Sequence, residues 1–218
     1  MKNVQQIASL ALSLLLVISN PVAAQPVKGQ PAQKDANTTN MIEELNPFDP
    51  NVEEILEYYD RIYEEETGKS AHLEDLDVND IIGLASCYRS SCNVWAQVVK
   101  SSQRMYLYVN GSLRGSWAVS TGISGYGTPN FDRHPNGRIY DRYTSSKFPG
   151  GDYNGLGNMP YAVFITGGFA LHGTPRGNWP KLGQRASHGC IRMHPDNAYM
   201  FNRLVRQYGK TNVWITVQ

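Results

Sequence analysis

The sequence predicts a mainly β fold with peripheral α-helices and an amino-terminal helical segment. From Val94 onward, runs rich in β-branched and aromatic residues alternate with turn residues, the pattern of short strands. Asn110-Gly111 separates two such runs, and Gly167-Gly168 separates two more, which indicates two β-hairpins. Between residues 48 and 68, by contrast, apolar side chains recur at helical spacing.

The carboxy-terminal two thirds of the chain accounts for all the predicted strands. Residues 121–160 are rich in Gly, Pro, Asn, Asp and Ser, which predicts long loops of the kind that cover a site. A helix is predicted from about Asp196 to Gln207. The predicted strands are Val94–Lys100, Arg104–Val109, Leu113–Ser120, Tyr161–Thr166, Phe169–His172 and Val213–Val217.

The amino-terminal helix has recognisable start and stop signals. Asp49 can cap it, Pro50 suits its first turn, and Phe48 can pack against that turn. Gly68 supplies the stop, because glycine readily adopts the left-handed conformation that ends helices. A shorter helix is predicted for Val78–Ala85.

Residues 1–24 have the anatomy of an export signal. Lys2 precedes an apolar run, Ile7–Ile18, and cleavage is expected after Ala24. The run is shorter than the roughly 20 apolar residues that a membrane span needs, so no stable membrane insertion is expected. Residues 25–47 then read as a flexible linker, 48–88 as an acidic helical segment and 89–218 as the main domain.

Export makes the cysteines informative. Cys87 and Cys92 are close in sequence, and in an oxidising compartment they can form a disulfide that leaves Cys190 free. The alternative is that all three are reduced and buried, as free cysteines often are.

Charge divides the chain into two parts. Residues 35–80 hold 15 of the 19 acids and two bases, whereas residues 89–218 hold 15 bases and 4 acids, a net charge of +11. In an exported protein this asymmetry favours anionic wall material, carboxylate-bearing peptides or the acidic segment itself as partners, and not nucleic acid. One hypothesis is that the acidic helix packs on the basic domain and limits access to it or recruits a partner. The alternative is a simple amino-terminal cap.

The residues that indicate chemistry surround Cys190. The segment 187–193 reads Ser-His-Gly-Cys-Ile-Arg-Met, and His172 followed by Gly-Thr lies upstream. A thiol attacks a carbonyl as the thiolate, and a free cysteine with a pKa of about 8.5 is mostly protonated at neutral pH. A nucleophilic cysteine therefore needs a nearby base, usually a histidine held by a third group, and His172 and His188 are the candidates.

The local pattern also suggests how the site could bind a substrate and stabilise an oxyanion. If residues 187–192 are extended, His188 and Cys190 point to the same side, while Gly189 leaves room for a close backbone approach. The amides of Gly189 and Cys190 can then stabilise an oxyanion.

This constellation resembles the L,D-transpeptidases with a YkuD-like catalytic domain. Their signature is a His, a spacer of roughly 14 to 17 residues, then Ser/Thr-His-Gly-Cys and an Asn or Arg two positions on. Here 14 residues separate His172 from Ser187, and Arg192 lies two positions after Cys190. The resemblance covers residues 94–218, and Gly-Thr-Pro at 127–129 resembles the family's Thr-Pro segment. It implies a β-sandwich-like catalytic fold.

The resemblance also implies roles for individual residues. Cys190 is the expected nucleophile, His172 its base, and the carbonyl oxygen of Gly173 the group that orients the imidazole. Ser187, His188, Gly189 and Arg192 are expected around the oxyanion and substrate, with Arg192 holding a substrate carboxylate and Met159 and Tyr161 bordering the pocket. Structural roles for His188 and Arg192 stay open.

The implied reaction is acyl transfer on peptidoglycan stem peptides, in the periplasm or cell wall, without a cofactor or a metal. The acceptor stays open: the amine of another stem peptide, water, or a lysine of an outer-membrane protein. Two other classes also stay open. His188, Cys190 and His194 are suitable zinc ligands, which metal analysis of the purified protein tests. A non-catalytic wall-binding protein needs no free cysteine beside two histidines.

Overall fold

The structure is a computed structural model that describes residues 45–73, 87–144 and 151–218. The predicted export signal and the predicted helix at Val78–Ala85 lie outside these residues. The helices are α1 (Val52–Thr67) and α2 (Pro195–Tyr208). The strands are β1 (Val94–Val99), β2 (Arg104–Val109), β3 (Ser112–Ser120), β4 (Phe131–Arg133), β5 (Val163–Thr166), β6 (Phe169–Gly173), β7 (Ile191–Met193) and β8 (Val213–Val217).

The eight strands form one mixed, barrel-like sheet in the order β4-β8-β1-β2-β3-β7-β6-β5. Two neighbouring pairs, β1 with β8 and β6 with β7, are parallel, and the others are antiparallel. The mainly β prediction with peripheral helices is confirmed. Strand β4 lies inside the segment predicted as loop, and its three residues are too few to show an alternating pattern.

The end of the sheet formed by β5 and β6 is buried on both faces. Val163, Ile165 and Leu171 point into the main core, which α2 also covers. Phe164 and Ala170, which alternate with them, point into a second cluster. We call this second cluster the helix core, because it packs between the sheet and the apolar face of α1: Ile55, Leu56, Tyr59 and Tyr63.

Helix α1 ends as predicted and begins later than predicted. Gly68 adopts a left-handed conformation with φ 65° and its N–H donates to the carbonyl of Glu64. The predicted cap at Asp49 is wrong by two residues, since the cap is Asn51. The Asp49 carboxylate instead accepts from the backbone N–H of Asn51 at 2.9 Å, which forms a turn before the helix.

One buried arginine fastens α1 to the sheet domain. The Nε and Nη2 atoms of Arg138 donate to the Asp60 carboxylate of α1 at 3.0 to 3.2 Å, and Tyr140 donates its hydroxyl to the same carboxylate. A weaker contact reaches Glu53 at 3.3 Å. Burial acts to lower the pKa of Arg138, but Asp60 and Glu53 raise it overall, so the guanidinium stays charged.

Outside these cores, a Cys87–Cys92 disulfide closes the start of the main domain and leaves Cys190 free and buried. The disulfide pairing expected from the sequence is present. Within the described ranges, neither helix is long and apolar enough to cross a membrane.

The two acidic residues that contact Arg138 should differ in how much their removal lowers the free energy of unfolding. The Asp60 side chain is 13% exposed and that of Glu53 is 59% exposed. Asp60→Ala leaves a buried guanidinium without its main partner and should lower the free energy of unfolding by about 3 kcal/mol. Glu53→Ala should lower it by less than about 1 kcal/mol, because exposed ion pairs contribute little. Urea unfolding of both variants measures the difference; equal losses would contradict the assignment.

Candidate active site

The parallel pairing of β6 and β7 places the predicted base on the strand next to the one that the predicted nucleophile precedes. In this pairing His172 lies opposite Arg192, and Cys190 immediately precedes β7. Ala170 and Cys190 both belong to the helix core, and His172 lies two residues beyond Ala170 on the same strand face. Adjacent strands are about 4.8 Å apart with a rise of about 3.3 Å per residue, so the two side chains come from neighbouring positions.

His172 is fully buried and held by the main chain. Its Nδ1 lies 2.6 Å from the carbonyl oxygen of Gly173. A carbonyl can only accept, so Nδ1 carries the proton in this contact, and Nε2 is the basic nitrogen of the neutral ring. A side chain at position 173 would meet Pro195 and Pro160 at about 3 Å, so glycine fits closely there. The orienting role assigned to Gly173 stays a prediction, which this contact supports.

The Cys190 thiol faces the helix core and is only 1% exposed. Its Sγ donates to the carbonyl oxygen of Gly168 at 3.3 Å. Met159 belongs to the same cluster. Tyr143 does too: burial raises the pKa of its hydroxyl well above the ordinary value, and Tyr59 and Cys190 add to the increase. The hydroxyl is therefore neutral. Tyr143 lies in an aperiodic segment, so sequence patterns could not predict it as a neighbour of the thiol.

The expectation that residues 187–192 are extended is wrong for the first part of the segment. Strand geometry begins only at Ile191, and Gly189 has φ +121°. The reason is a tight turn made by Ser187, whose hydroxyl donates to the Cys190 carbonyl at 2.6 Å and accepts from the Gly189 N–H at 3.2 Å. The Gly189 amide expected in an oxyanion hole is thus engaged by Ser187 in this conformation.

Thr128, from the Gly-Thr-Pro segment, supports this turn from outside. Its hydroxyl donates to the Gly189 carbonyl at 2.7 Å and accepts from the Gly122 N–H at 2.9 Å. A side chain at position 122 would come within 1.8 Å of the Tyr126 carbonyl oxygen, so only glycine fits. The sequence marked the Thr-Pro segment by resemblance and did not show that its hydroxyl reaches the nucleophile's turn.

The remaining predicted site residues are His188, Arg192 and Tyr161, and they have different surroundings. His188 is half-buried and packs edge-on against Tyr126, with ring centroids 5.1 Å apart. Arg192 is 1% exposed, and its Nη1 donates to the carbonyl of Ala186 at 2.6 Å. This position favours bracing of the loop over binding of a substrate carboxylate. Tyr161 packs against Tyr199 of α2 at 5.1 Å and not within the helix core.

The zinc alternative concerned His188, Cys190 and His194. In the described part of the chain, no three His, Cys, Asp or Glu side chains are grouped so that they could hold a metal ion. His194 caps α2 by accepting from the Asp196 N–H, and its ring packs on Trp179 at 4.3 Å.

Comparison with known proteins identifies the class. Residues 93–215 match the family model of the YkuD L,D-transpeptidase catalytic domain, and the chain belongs to this family of enzymes. No curated protein sequence matches the chain.

Solved structures of L,D-transpeptidases also match part of the chain. One from Mycobacterium smegmatis is 21% identical with a TM-score of 0.48, and the match covers 59% of each chain. L,D-transpeptidase 3 from Mycobacterium tuberculosis is 21% identical with a TM-score of 0.44, over 59% of this chain and 61% of that one. An L,D-transpeptidase from Stackebrandtia nassauensis is 18% identical with a TM-score of 0.44, over 61% and 58%. The chain thus spans less than two thirds of these proteins.

The support that Thr128 gives to the nucleophile's turn can be tested by an isosteric substitution. Thr128→Val removes one buried donor and acceptor, and should lower the free energy of unfolding by about 1–3 kcal/mol. It should also change the alkylation rate of Cys190, because the turn loses its support. Thr128→Ser keeps the hydroxyl and should restore the alkylation rate. A Val variant with wild-type stability and alkylation rate would show that the contact is incidental.

Proposed function

We propose that the protein is a peptidoglycan L,D-transpeptidase that uses Cys190 as its nucleophile. The observation that carries this proposal is the position of a free thiol immediately before β7, beside the paired strand that carries His172, in a chain of this family. The Gly173 carbonyl supports the assignment, because it fixes the imidazole tautomer that leaves Nε2 basic.

In the first half of the reaction, the Cys190 proton passes to Nε2 of His172. The thiolate attacks the carbonyl carbon of the third, diamino-acid residue of a donor tetrapeptide. The amide C–N bond breaks, His172 returns the proton to the departing nitrogen, and D-alanine leaves. The product is a thioester between Cys190 and the remaining tripeptide.

In the second half, an amine attacks the thioester carbonyl. The side-chain amine of a third residue on another stem gives a 3→3 cross-link, its extra proton passes to His172, and the thiol is restored. Exclusion of water favours the amine over hydrolysis, and the apolar helix core around Cys190 suits that requirement. The proposed substrate and the predicted export signal both support a reaction in the periplasm or cell wall.

Removal of the nucleophile tests the mechanism directly. Cys190→Ala should abolish D-alanine release from purified muropeptides, measured by mass spectrometry. A matched control replaces Cys87 and Cys92 with alanine, which leaves Cys190 as the only cysteine. We expect D-alanine release to persist in this control, although its stability should fall by about 2 kcal/mol on loss of the short disulfide loop. Release by Cys190→Ala would end the proposal.

A covalent probe tests the same sulfur without a peptide. A carbapenem should acylate Cys190, because thiolate attack opens the β-lactam ring. Intact mass should then increase by the mass of one antibiotic molecule. The Cys190→Ala variant should show no such increase, and an adduct on another residue would reject the assignment.

The acceptor is defined by the products. Digested sacculi incubated with the protein should yield 3→3 cross-linked dimers if a stem amine resolves the thioester. Tripeptides without new cross-links would instead make water the acceptor and the protein an L,D-carboxypeptidase.

A further inference from the structure

Two glycines next to the thiol of Cys190 are contacted by the segment before α1. Gly168 accepts the thiol's hydrogen bond, and Gly189 precedes the nucleophile. A methyl group placed on Gly168 would come within 2.7 Å of Pro47 Cα, and one on Gly189 within 2.7 Å of Pro47 Cγ. Pro47 therefore lies against both glycines.

Phe48 continues this contact outward. Its ring meets Phe169 at 5.2 Å and Tyr126 at 6.1 Å between centroids, and a methyl group on Gly189 would lie 2.9 Å from the ring. Tyr126 in turn packs on His188. The Phe48 ring is nevertheless 45% exposed, so it lies over the site as an outer layer.

The same segment is anchored at both of its ends. On one side, Leu45 is 5% exposed and belongs to the helix core that contains Cys190. On the other, Val52 begins α1 and meets Gly168 closely, and α1 is held by the Asp60–Arg138 contact. We call residues 45–52 the cover segment.

This arrangement conflicts with substrate attack. A carbonyl carbon must come within about 3–3.5 Å of the sulfur to react, and a donor peptide needs space on both sides of that carbon. Cys190 is 1% exposed, and Pro47 lies against the two glycines beside it.

We infer that the groove between Gly168 and Gly189 is where the donor peptide approaches Cys190, and that the cover segment of the same chain occupies it until it is displaced. The protein is thus latent in the state described. This inference rests on the proposed function for the identity of the donor, and on contacts alone for the cover. Its simplest alternative is that residues 45–52 merely complete the fold.

The alkylation rate of Cys190 measures how accessible its thiol is, and the measurement needs no peptide substrate. The double substitution Pro47→Gly and Phe48→Ala, in the full chain with its disulfide intact, should speed iodoacetamide labelling of Cys190 by about tenfold, because opening of the segment becomes easier. Phe48→Ala alone, at a 45% exposed side chain, is the variant least able to disturb folding and should give a smaller increase. Leu113→Ala removes a 55% exposed apolar side chain from strand β3 and should label at the wild-type rate.

Labelling that is equally fast in the wild type, both cover variants and Leu113→Ala would overturn the inference, as would a wild-type rate equal to that of the unfolded chain in guanidinium. D-alanine release then separates this result from the proposed function. Faster labelling together with faster release supports the cover as a control of the reaction. Faster labelling without any release, in any variant, supports the cover and rejects the transpeptidase proposal.

Discussion

The pairing of β6 with β7 is the interaction on which the site depends. His172 on β6 and Cys190 just before β7 have a fixed separation only if the two backbones are hydrogen-bonded in register, and this parallel pair sets that register. Both strands are also packed against the main core through Leu171 and Ile191. The sheet therefore sets the position of His172, whereas the position of Cys190 also depends on the turn that Ser187 closes before β7.

Main-chain atoms do much of the positioning around this pair. The carbonyl of Gly173 accepts from Nδ1 of His172, the carbonyl of Gly168 accepts from the Cys190 thiol, and the Ser187 hydroxyl closes the turn at Gly189. Side chains such as Thr128 act one layer further out, through those same backbone groups. A cluster of apolar residues from α1 completes the enclosure and lowers the local polarity around the sulfur.

Much of the fold follows from local sequence patterns. Asn110 and Gly111 adopt φ values of 49° and 75°, as a two-residue hairpin turn requires, and β2 has the predicted bounds. The pairing of Cys87 with Cys92 follows from their spacing. Strand β4 could not be predicted, because only its pairing with β8 makes those three residues a strand.

The sequence predicted which residues form the site, but not which residues cover it. A signature fixes which side chains belong together, but Pro47 is 143 residues before Cys190 and carries no signal that it lies there. Residues 45–47, assigned from composition to a flexible linker, pack against the domain because Leu45 fits into an apolar cluster that forms only in three dimensions. Opposite charges suggested that α1 docks on the basic domain, and the Asp60–Arg138 contact is consistent with that hypothesis.

The close packing of backbone around Cys190 has a consequence for inhibitors that react with its sulfur. Positions 122 and 173 have no room for a larger residue, and position 189 has a φ that residues with a Cβ rarely adopt. Substitutions there would distort the backbone around Cys190 and His172 before they reduced the binding of an inhibitor. Resistance mutations against such a compound are therefore expected at other positions, where the fold tolerates replacement.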